Sequence, residues 1–134
     1  MIAHYLSGFP AFIAHFVLAI GFVVAFAGIY TTMTHHNEFD LIRQGNTAAS
    51  IALAGSLIGF SLPLASAVEH SESIIDNALW ALISLIVQLG IYYIARLVIN
   101  DLSGRIDRGE LSAGIWLGAV SITGGQLAAA SMTT

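Results

Sequence analysis

Residues 45–68 read GNTAASIALAGSLIGFSLPLASAV, and the part from Thr47 onward carries no charged side chain. A bilayer core about 30 Å thick is crossed by roughly 20 apolar residues in a helix that rises about 1.5 Å per residue. Backbone groups that face lipid must be satisfied inside their own segment, so a helix is the expected form. The stretch therefore predicts a membrane-spanning helix.

The composition indicates an integral membrane protein throughout. Of the 134 residues, 57% are hydrophobic and 9% are charged, whereas about a quarter of a soluble domain is charged. The net charge is -4, and the basic side chains are four arginines. The chain thus has no basic patch, which argues against nucleic acid and against recognition of anionic lipid. Cysteine is absent, so disulfides and thiolate chemistry are excluded.

Four stretches meet the length that a span requires. They cover residues 11–32, 47–68, 78–99 and 111–131, and the short connections hold nearly all the charges. Asn46 and Asn77 stand where the second and third helices need N-caps, and Pro10 suits the first turn of the first helix. The predicted fold is an all-α membrane protein with four transmembrane helices, in which residues 1–134 form a single membrane domain.

All four arginines fall at one end of the spans. Arg43 follows the first span, whereas Arg96, Arg105 and Arg108 lie near or after the end of the third. The connection between the second and third spans has only acids and a histidine as ionisable groups. The positive-inside rule therefore predicts that both arginine-bearing connections are cytoplasmic and that both termini are periplasmic or extracellular.

The start of the second span recurs before the fourth. Residues 42–53, IRQGNTAASIAL, match residues 106–117, IDRGELSAGIWL, at five of twelve positions. The match predicts two tandem helical hairpins, residues 11–68 and 78–131, which cross the membrane in the same direction and are related by an axis along its normal. Membrane spans are built from few residue types, so some matches arise by chance. The shared turn, glycine and span start nevertheless favour a repeat.

Small residues recur at a spacing that suits helix packing. Gly55 and Gly59 lie four apart in the second span, as do Gly114 and Gly118 in the fourth. Helices in lipid approach closely where such residues meet. Packing within one bundle is the simpler interpretation, and packing between subunits stays open. A homo-oligomer is expected because four helices leave little room for a pathway within one subunit.

Few polar residues lie at membrane depth, and they are candidates for a transport path. They are His15, Pro63, Gln88 and Gln126. Pro63 and Gln126 occupy nearly matching places in the two halves, and matched helix breaks point to binding sites in transporters. The simpler alternative is that the glutamines bond between helices and that Pro63 is a tolerated kink. No Asp or Glu lies inside a span. Cation-coupled exporters usually keep a carboxylate there, so this class of protein is disfavoured.

Two groups of histidines and acids lie at the span ends. The outer group comprises His4, His15, Glu69, His70, Glu72 and Asp76, and the inner group comprises His35, His36, Glu38 and Asp40. Such side chains can bind divalent metals or respond to pH. No two histidines show i, i+4 ligand spacing, so solvated loops are the favoured interpretation, and no metal or cofactor is predicted. No catalytic motif occurs, so an enzyme is not expected.

Residues 45–68, with Gly-Asn followed by alanines and then a glycine-spaced helix, resemble the YjfL-like inner-membrane family, domain of unknown function 350. The resemblance extends over essentially the whole chain, although Glu110 replaces the asparagine in the second copy. It implies a bacterial inner-membrane protein with four spans, and it supplies no catalytic residue or ligand.

Together these observations predict a non-enzymatic membrane component. Its most concrete form is a small oligomeric channel or permease whose path lies near His15, Pro63, Gln88 and Gln126. The alternative is an accessory or scaffold subunit that packs against another membrane protein through its glycine-rich helix faces.

Overall fold

The computed structural model describes residues 2–34 and 37–132, apart from the side chain of His4. This part of the chain forms six helices. They are α1 (Ile2–Met33), α2 (Glu38–Arg43), α3 (Thr47–His70), α4 (Ile74–Val98), α5 (Leu102–Asp107) and α6 (Leu111–Ser131). The helices α1, α3, α4 and α6 are long and apolar enough to cross a membrane. The prediction of an all-α protein with four spans is confirmed.

The most extensive helix contact is between α3 and α6. A Cβ atom added at Gly55 would overlap the backbone of Gly118, and one added at Gly114 would overlap the backbone of Ala48. Gly59 lies in the same interface, because a Cβ atom there would overlap the backbone of α6. The four glycines that the sequence singled out therefore pack helices together within one chain.

The contacts between α3 and α6 advance together along both helices. Near the starts, Gly114 lies against Ala48; near the ends, the hydroxyl of Ser66 donates to the carbonyl oxygen of Ala129 at 3.3 Å. The two helices therefore run parallel and begin at the same side of the bundle. Residues 37–46 and 99–110 lie on that side, which we call the arginine face.

Two turns of the same geometry lead into α3 and α6. Gly45 and Gly109 have φ angles of 86° and 81°, which residues with a Cβ atom rarely adopt. Each turn follows a short helix, and its backbone hydrogen bonds recur 64 residues later. Asn46 caps α3, as predicted, and its side-chain amide also donates to the carbonyl oxygen of Ile106 at 2.9 Å. This second bond ties the two turns together.

α1 and α4, the first helices of the two halves, also contact each other. His15 of α1 meets Asn77 of α4, and Tyr30 of α1 meets Tyr92 of α4, so the paired positions are 62 residues apart. The turns before α3 and α6 are 64 residues apart. The likeness is established for the two turns, and a tandem repeat of the two whole hairpins stays a prediction.

Two helix starts differ from those that the sequence suggested. α1 begins at Ile2, so Pro10 lies inside the helix and not in its first turn. Proline cannot donate the backbone hydrogen bond expected inside a helix, and Pro10 lies where α1 is exposed. α4 begins at Ile74 with Ser73 as its N-cap. The prediction that Asn77 caps this helix is wrong, because its side chain lies in the first turns of the helix interior.

The four long helices are buried to very different degrees. Of the most apolar 18 residues of α1, 6% are buried, against 56% in α3. The exposed side chains of α1 are mostly large and apolar, and lipid can cover such side chains at no cost. The centre of the bundle is therefore α3, with α4 and α6 against it and α1 at the periphery.

Candidate functional site

A buried carboxylate lies at the arginine face. Glu38, the first residue of α2, is fully buried, and the hydroxyl of Thr34 donates a hydrogen bond to its carboxylate. The interpretation of this segment as a solvated loop is therefore wrong for Glu38, whereas Asp40 in the same helix is exposed. The other two members of the predicted inner group, His35 and His36, lie outside the described residues.

Tyr30 of α1 leads from Glu38 towards the middle of the bundle. Its side chain is 1% exposed, and its hydroxyl has no hydrogen-bond partner among the described residues. Glu38 lies near that hydroxyl, and Ser56 of α3 lies beside it. The ring of Tyr92 from α4 packs edge-on against the ring of Tyr30, with the centroids 5.3 Å apart.

Ser56, Ser121 and Gln88 form the deepest part of this arrangement. The hydroxyl oxygens of Ser56 and Ser121 are 3.3 Å apart. The side-chain nitrogen of Gln88 donates to the carbonyl oxygen of Ser121 at 3.0 Å, whereas its side-chain oxygen has no partner in the described part of the chain. The expected hydrogen bond between helices thus engages the side-chain nitrogen of Gln88, whereas its side-chain oxygen is left without a partner among the described residues.

Together these side chains form a buried cluster, which we call the polar core. Its members are Tyr30, Glu38, Ser56, Gln88, Tyr92 and Ser121. They come from five helices and extend from the arginine face to the middle of the spans. A buried polar atom without a partner costs about 1–3 kcal/mol, and burial of an ionisable group costs more. A cluster of this kind in a membrane protein is a candidate functional site.

The fold does not itself require a carboxylate at position 38. Leu102 occupies the corresponding place in α5, equally far ahead of its glycine turn, and it is only 1% exposed. Because the two turns share their backbone hydrogen bonds, a buried leucine is compatible with this local geometry. Packing alone therefore does not explain why position 38 carries a carboxylate.

The polar side of α4 faces the interior. Asn77, Ser84, Gln88 and Tyr92 are all buried, and their spacings of seven, four and four residues place them on one stripe of the helix. Near the side opposite the arginine face, the amide nitrogen of Asn77 lies 3.0 Å from Nδ1 of His15. The stripe was readable in the sequence, although only Gln88 was recognised there.

The four residues predicted to line a path fall in different environments. Gln88 belongs to the polar core. Pro63 is buried within α3, and His15 is half-buried beside Asn77. Gln126 is exposed on α6. The polar core therefore retains one of the four, and it adds Glu38, which the sequence analysis had placed in a solvated loop.

The described members of the outer group of histidines and acids do not come together as a set of metal ligands. Across residues 2–34 and 37–132, no three His, Cys, Asp or Glu side chains lie close enough to hold an ion. Nδ1 of His70 lies 2.9 Å from the carbonyl oxygen of Ser66 in its own helix. The side chain of His4 lies outside the described part.

The chain is similar to one protein family along almost its whole length. The family model described as Domain of Unknown Function (DUF350) matches residues 4–132. The UPF0719 inner membrane protein YjfL of Escherichia coli strain K12 is 39% identical over 130 residues, which cover 97% of this chain and 98% of the relative. The protein of the same name from Escherichia coli O157:H7 gives the same match. No solved structure gives a significant match.

Proposed function

Because the chain belongs to the DUF350 family of multi-pass inner-membrane proteins, we propose that it is a small permease that conducts protons along the polar core. The path begins at Glu38 on the arginine face and passes Tyr30, Ser56 and Ser121 before it reaches Gln88. Neither an enzymatic activity nor a cofactor is part of this proposal.

The burial of Glu38 beside Tyr30 is the observation that carries the proposal. Ionisable side chains are costly inside membrane proteins, and those that occur there commonly serve ion or proton pathways. Glu38 is fully buried, and the next hydroxyl inward, that of Tyr30, has no hydrogen-bond partner among the described residues. That hydroxyl is therefore available to accept a proton from Glu38 and to donate one to Ser56.

The packing of the bundle favours protons over hydrated ions. Phe26 stacks on Phe60 next to the polar core, with the ring centroids 4.6 Å apart, and Phe26 also packs on Tyr30. A proton can pass between neighbouring oxygens without displacing these rings. A hydrated ion would require the helices to separate. The members of the polar core are acidic or neutral, so they stabilise a positive charge in transit better than a negative one.

The polar stripe of α4 offers a continuation to the opposite side of the bundle. Ser84 lies one helical turn from Gln88, and its hydroxyl donates to the carbonyl oxygen of Trp80 at 2.8 Å. Two further turns along the stripe, Asn77 meets His15. A neutral imidazole can accept a proton on one nitrogen and donate from the other, so His15 suits the outer end of such a path.

We also propose that the arginine face is cytoplasmic and that both termini are periplasmic. The parallel packing of α3 and α6 supports this orientation, because it brings the two arginine-bearing connections to one side. A reporter enzyme that is active only in the cytoplasm should stay inactive when it is fused to residue 134. The same reporter inserted after Gly109 should be active, and the reverse pattern would overturn the orientation.

Assembly into a homo-oligomer through α1 completes the proposal. The glycines of α3 and α6 are already occupied within the chain, so a partner must use another surface. On α1, a Cβ atom added at Gly21 or Gly28 would meet nothing within 4 Å, and with Ala25 these glycines form an exposed stripe of small residues. In the alternative function, an accessory or scaffold subunit, the same stripe would pack against a different membrane protein.

Proton flux into proteoliposomes tests the proposal. The buried Gln88 and the exposed Gln126 provide a matched pair of variants. In vesicles with an imposed pH gradient and a pH-sensitive dye inside, the wild-type protein should dissipate the gradient. Gln88→Leu should reduce the rate to that of protein-free vesicles, because it removes a polar member of the path. Gln126→Leu changes an exposed glutamine and should leave the rate unchanged.

Two outcomes of this experiment would contradict the proposal. Equal rates for Gln88→Leu and the wild type would exclude the polar core as the path. Wild-type vesicles no more permeable than protein-free vesicles, together with persistent copurification of a larger membrane protein in mild detergent, would favour the scaffold function instead.

A further inference from the structure

A second polar feature lies at the arginine face, outside the polar core. A cavity of about 810 Å³ opens between the end of α4 and the start of α5. Arg96 and Asp107 supply charges to its lining, and Asn37, Asn100 and Ser103 supply polar groups. Leu97 and Tyr93 form its border towards the outer surface of α4. The cavity therefore lies between polar side chains of the arginine face, most of them exposed, and the outer surface of α4.

Arg96 and Asp107, two of the three charged residues that line the cavity, do not form an ion pair with each other. The sequence suggests Arg96 as an interfacial residue that could pair with Asp101 or Asp107, but in the structure its guanidinium makes no ion pair or hydrogen bond with the described residues. The carboxylate of Asp107 is also without such a partner. A third charged residue in the lining, Asp101, is already engaged by Arg108 at 3.3 Å. Within the described part of the chain, the cavity thus presents one cation and one anion without an ion-pair partner.

The outer side of α4 next to the cavity is apolar. Leu97 is 80% exposed and Ile94 is 59% exposed, and both lie on the outer side of α4. In the membrane these side chains face acyl chains, and the arginine face lies at the level of the headgroups. A molecule that has a phosphate and an amine at one end and hydrocarbon at the other would match the Arg96 cation, the Asp107 anion and the apolar surface together.

We propose that this cavity binds the headgroup of a zwitterionic phospholipid that carries a primary amine. The phosphate is held by the guanidinium of Arg96, whose planar donors suit phosphate oxygens. The ammonium group donates to the carboxylate of Asp107, and the acyl chains lie along Ile94 and Leu97. An anionic lipid matches less well, because it would leave the Asp107 carboxylate without a counter-charge. This proposal does not depend on the proposed proton path.

Lipid retention by the purified full-length protein tests the proposal. The protein is exchanged into mild detergent with equal amounts of phosphatidylethanolamine, phosphatidylcholine and phosphatidylglycerol, and native mass spectrometry measures which lipids remain bound. We expect phosphatidylethanolamine to be retained preferentially. Arg96→Gln should weaken its retention about tenfold, as expected for the loss of one charge-assisted hydrogen bond. Arg96→Lys should retain part of the binding because it keeps the positive charge.

Matched variants separate a headgroup site from general surface charge. Arg43→Gln removes an exposed arginine that pairs with Asp40, and it should leave retention unchanged. Asp107→Asn should abolish the preference for phosphatidylethanolamine over phosphatidylcholine, because the quaternary amine of the latter has no N–H donor. Gel filtration of each variant confirms that it is folded.

Three results would overturn the proposal. Equal retention by Arg96→Gln and the wild type would remove the phosphate site. Equal retention of phosphatidylglycerol would remove the zwitterionic match. Displacement of the bound lipid by inorganic phosphate alone, at millimolar concentration, would show that a free phosphate and not a lipid is the ligand.

Discussion

Replacing Glu38 by leucine should abolish proton flux through proteoliposomes and leave the protein folded. The proposed path starts at this carboxylate, which is fully buried and lies near the Tyr30 hydroxyl. Among the described residues, Glu38 is the one acid that lies near the Tyr30 hydroxyl, so its loss should interrupt the path. We expect the rate of pH-gradient dissipation to fall to that of protein-free vesicles. Glu38→Gln keeps the shape of the side chain, and it should show the same loss because an amide does not ionise and so cannot supply protons to the path from the arginine face, whereas Gln88 further inside only forms hydrogen bonds along it.

The stability of Glu38→Leu should not fall, and this separates a chemical role from a structural one. Replacement of a buried ionisable group by an apolar side chain of similar volume removes the cost of taking that group out of water, so the variant should be neutral or more stable. Leu102 shows that leucine suits the corresponding place in α5. The Thr34 hydroxyl would remain bonded to the carbonyl oxygen of Thr31. Thermal unfolding in detergent, followed by circular dichroism, measures the change.

The neighbouring acid provides the control for this prediction. Asp40 lies in the same short helix and is exposed at the surface. Asp40→Asn removes one negative charge from the arginine face and keeps a side chain able to form hydrogen bonds, so flux should persist. A folded Glu38→Leu protein that still conducts at the wild-type rate would refute the role of Glu38. Loss of flux in Asp40→Asn as well would assign the effect to surface charge.

Replacing Gly125 by valine should separate α3 from α6 and unfold the bundle. An added Cβ at Gly125 would overlap the backbone of Gly59, and backbone cannot move aside as a flexible side chain can. Overpacking of a close interface costs about 1–3 kcal/mol or more. The polar core depends on the same interface, because Ser56 and Ser121 meet across it. We expect a large fall in the unfolding temperature and a shift of the protein to aggregates on gel filtration.

Gly90 provides a matched control with the opposite expected sign. This glycine lies inside α4, and an added Cβ atom would meet nothing within 4 Å. Alanine is favoured over glycine in a helix by about 1 kcal/mol, so Gly90→Ala should be neutral or mildly stabilising. Equal unfolding temperatures for Gly125→Val and Gly90→Ala would contradict the α3–α6 contact that defines the fold.

Several features were predictable because they depend on local sequence and on the solvent. The 22 residues from Thr47 without a charge predict a span, since lipid does not tolerate an unsatisfied backbone. Asn46 was predictable as a cap because its side chain reaches amides only three residues away. Gly45 and Gly109 were predictable as turns because each stands between a short polar segment and a span. None of these inferences requires knowledge of the other helices.

The candidate site was predictable only in part. Gln88 stands out in the sequence because an amide is rare at the middle of a span. Glu38 does not stand out, because it lies among polar residues and its burial results from the docking of α2 beneath the bundle. Asn77 was misread as a cap because its position next to the span start is equally consistent with the first turns of a helix. Gln126 was selected for its depth, but depth says nothing about which side of α6 faces the interior.

The sequence by itself determined that this protein crosses the membrane four times and where its two glycine turns occur, because hydrophobic length and backbone conformation are properties of short segments. Only the tertiary structure decided which polar side chains face one another. The side that a helix turns inward is set by its neighbours, and here the close approach of α3 and α6 at their glycines brings Ser56, Ser121 and Gln88 together and leaves Gln126 outside. Glu38 is buried because α2 packs against α3 and because Thr34, at the end of α1, bonds its carboxylate, and these contacts cannot be read from a polar segment of sequence.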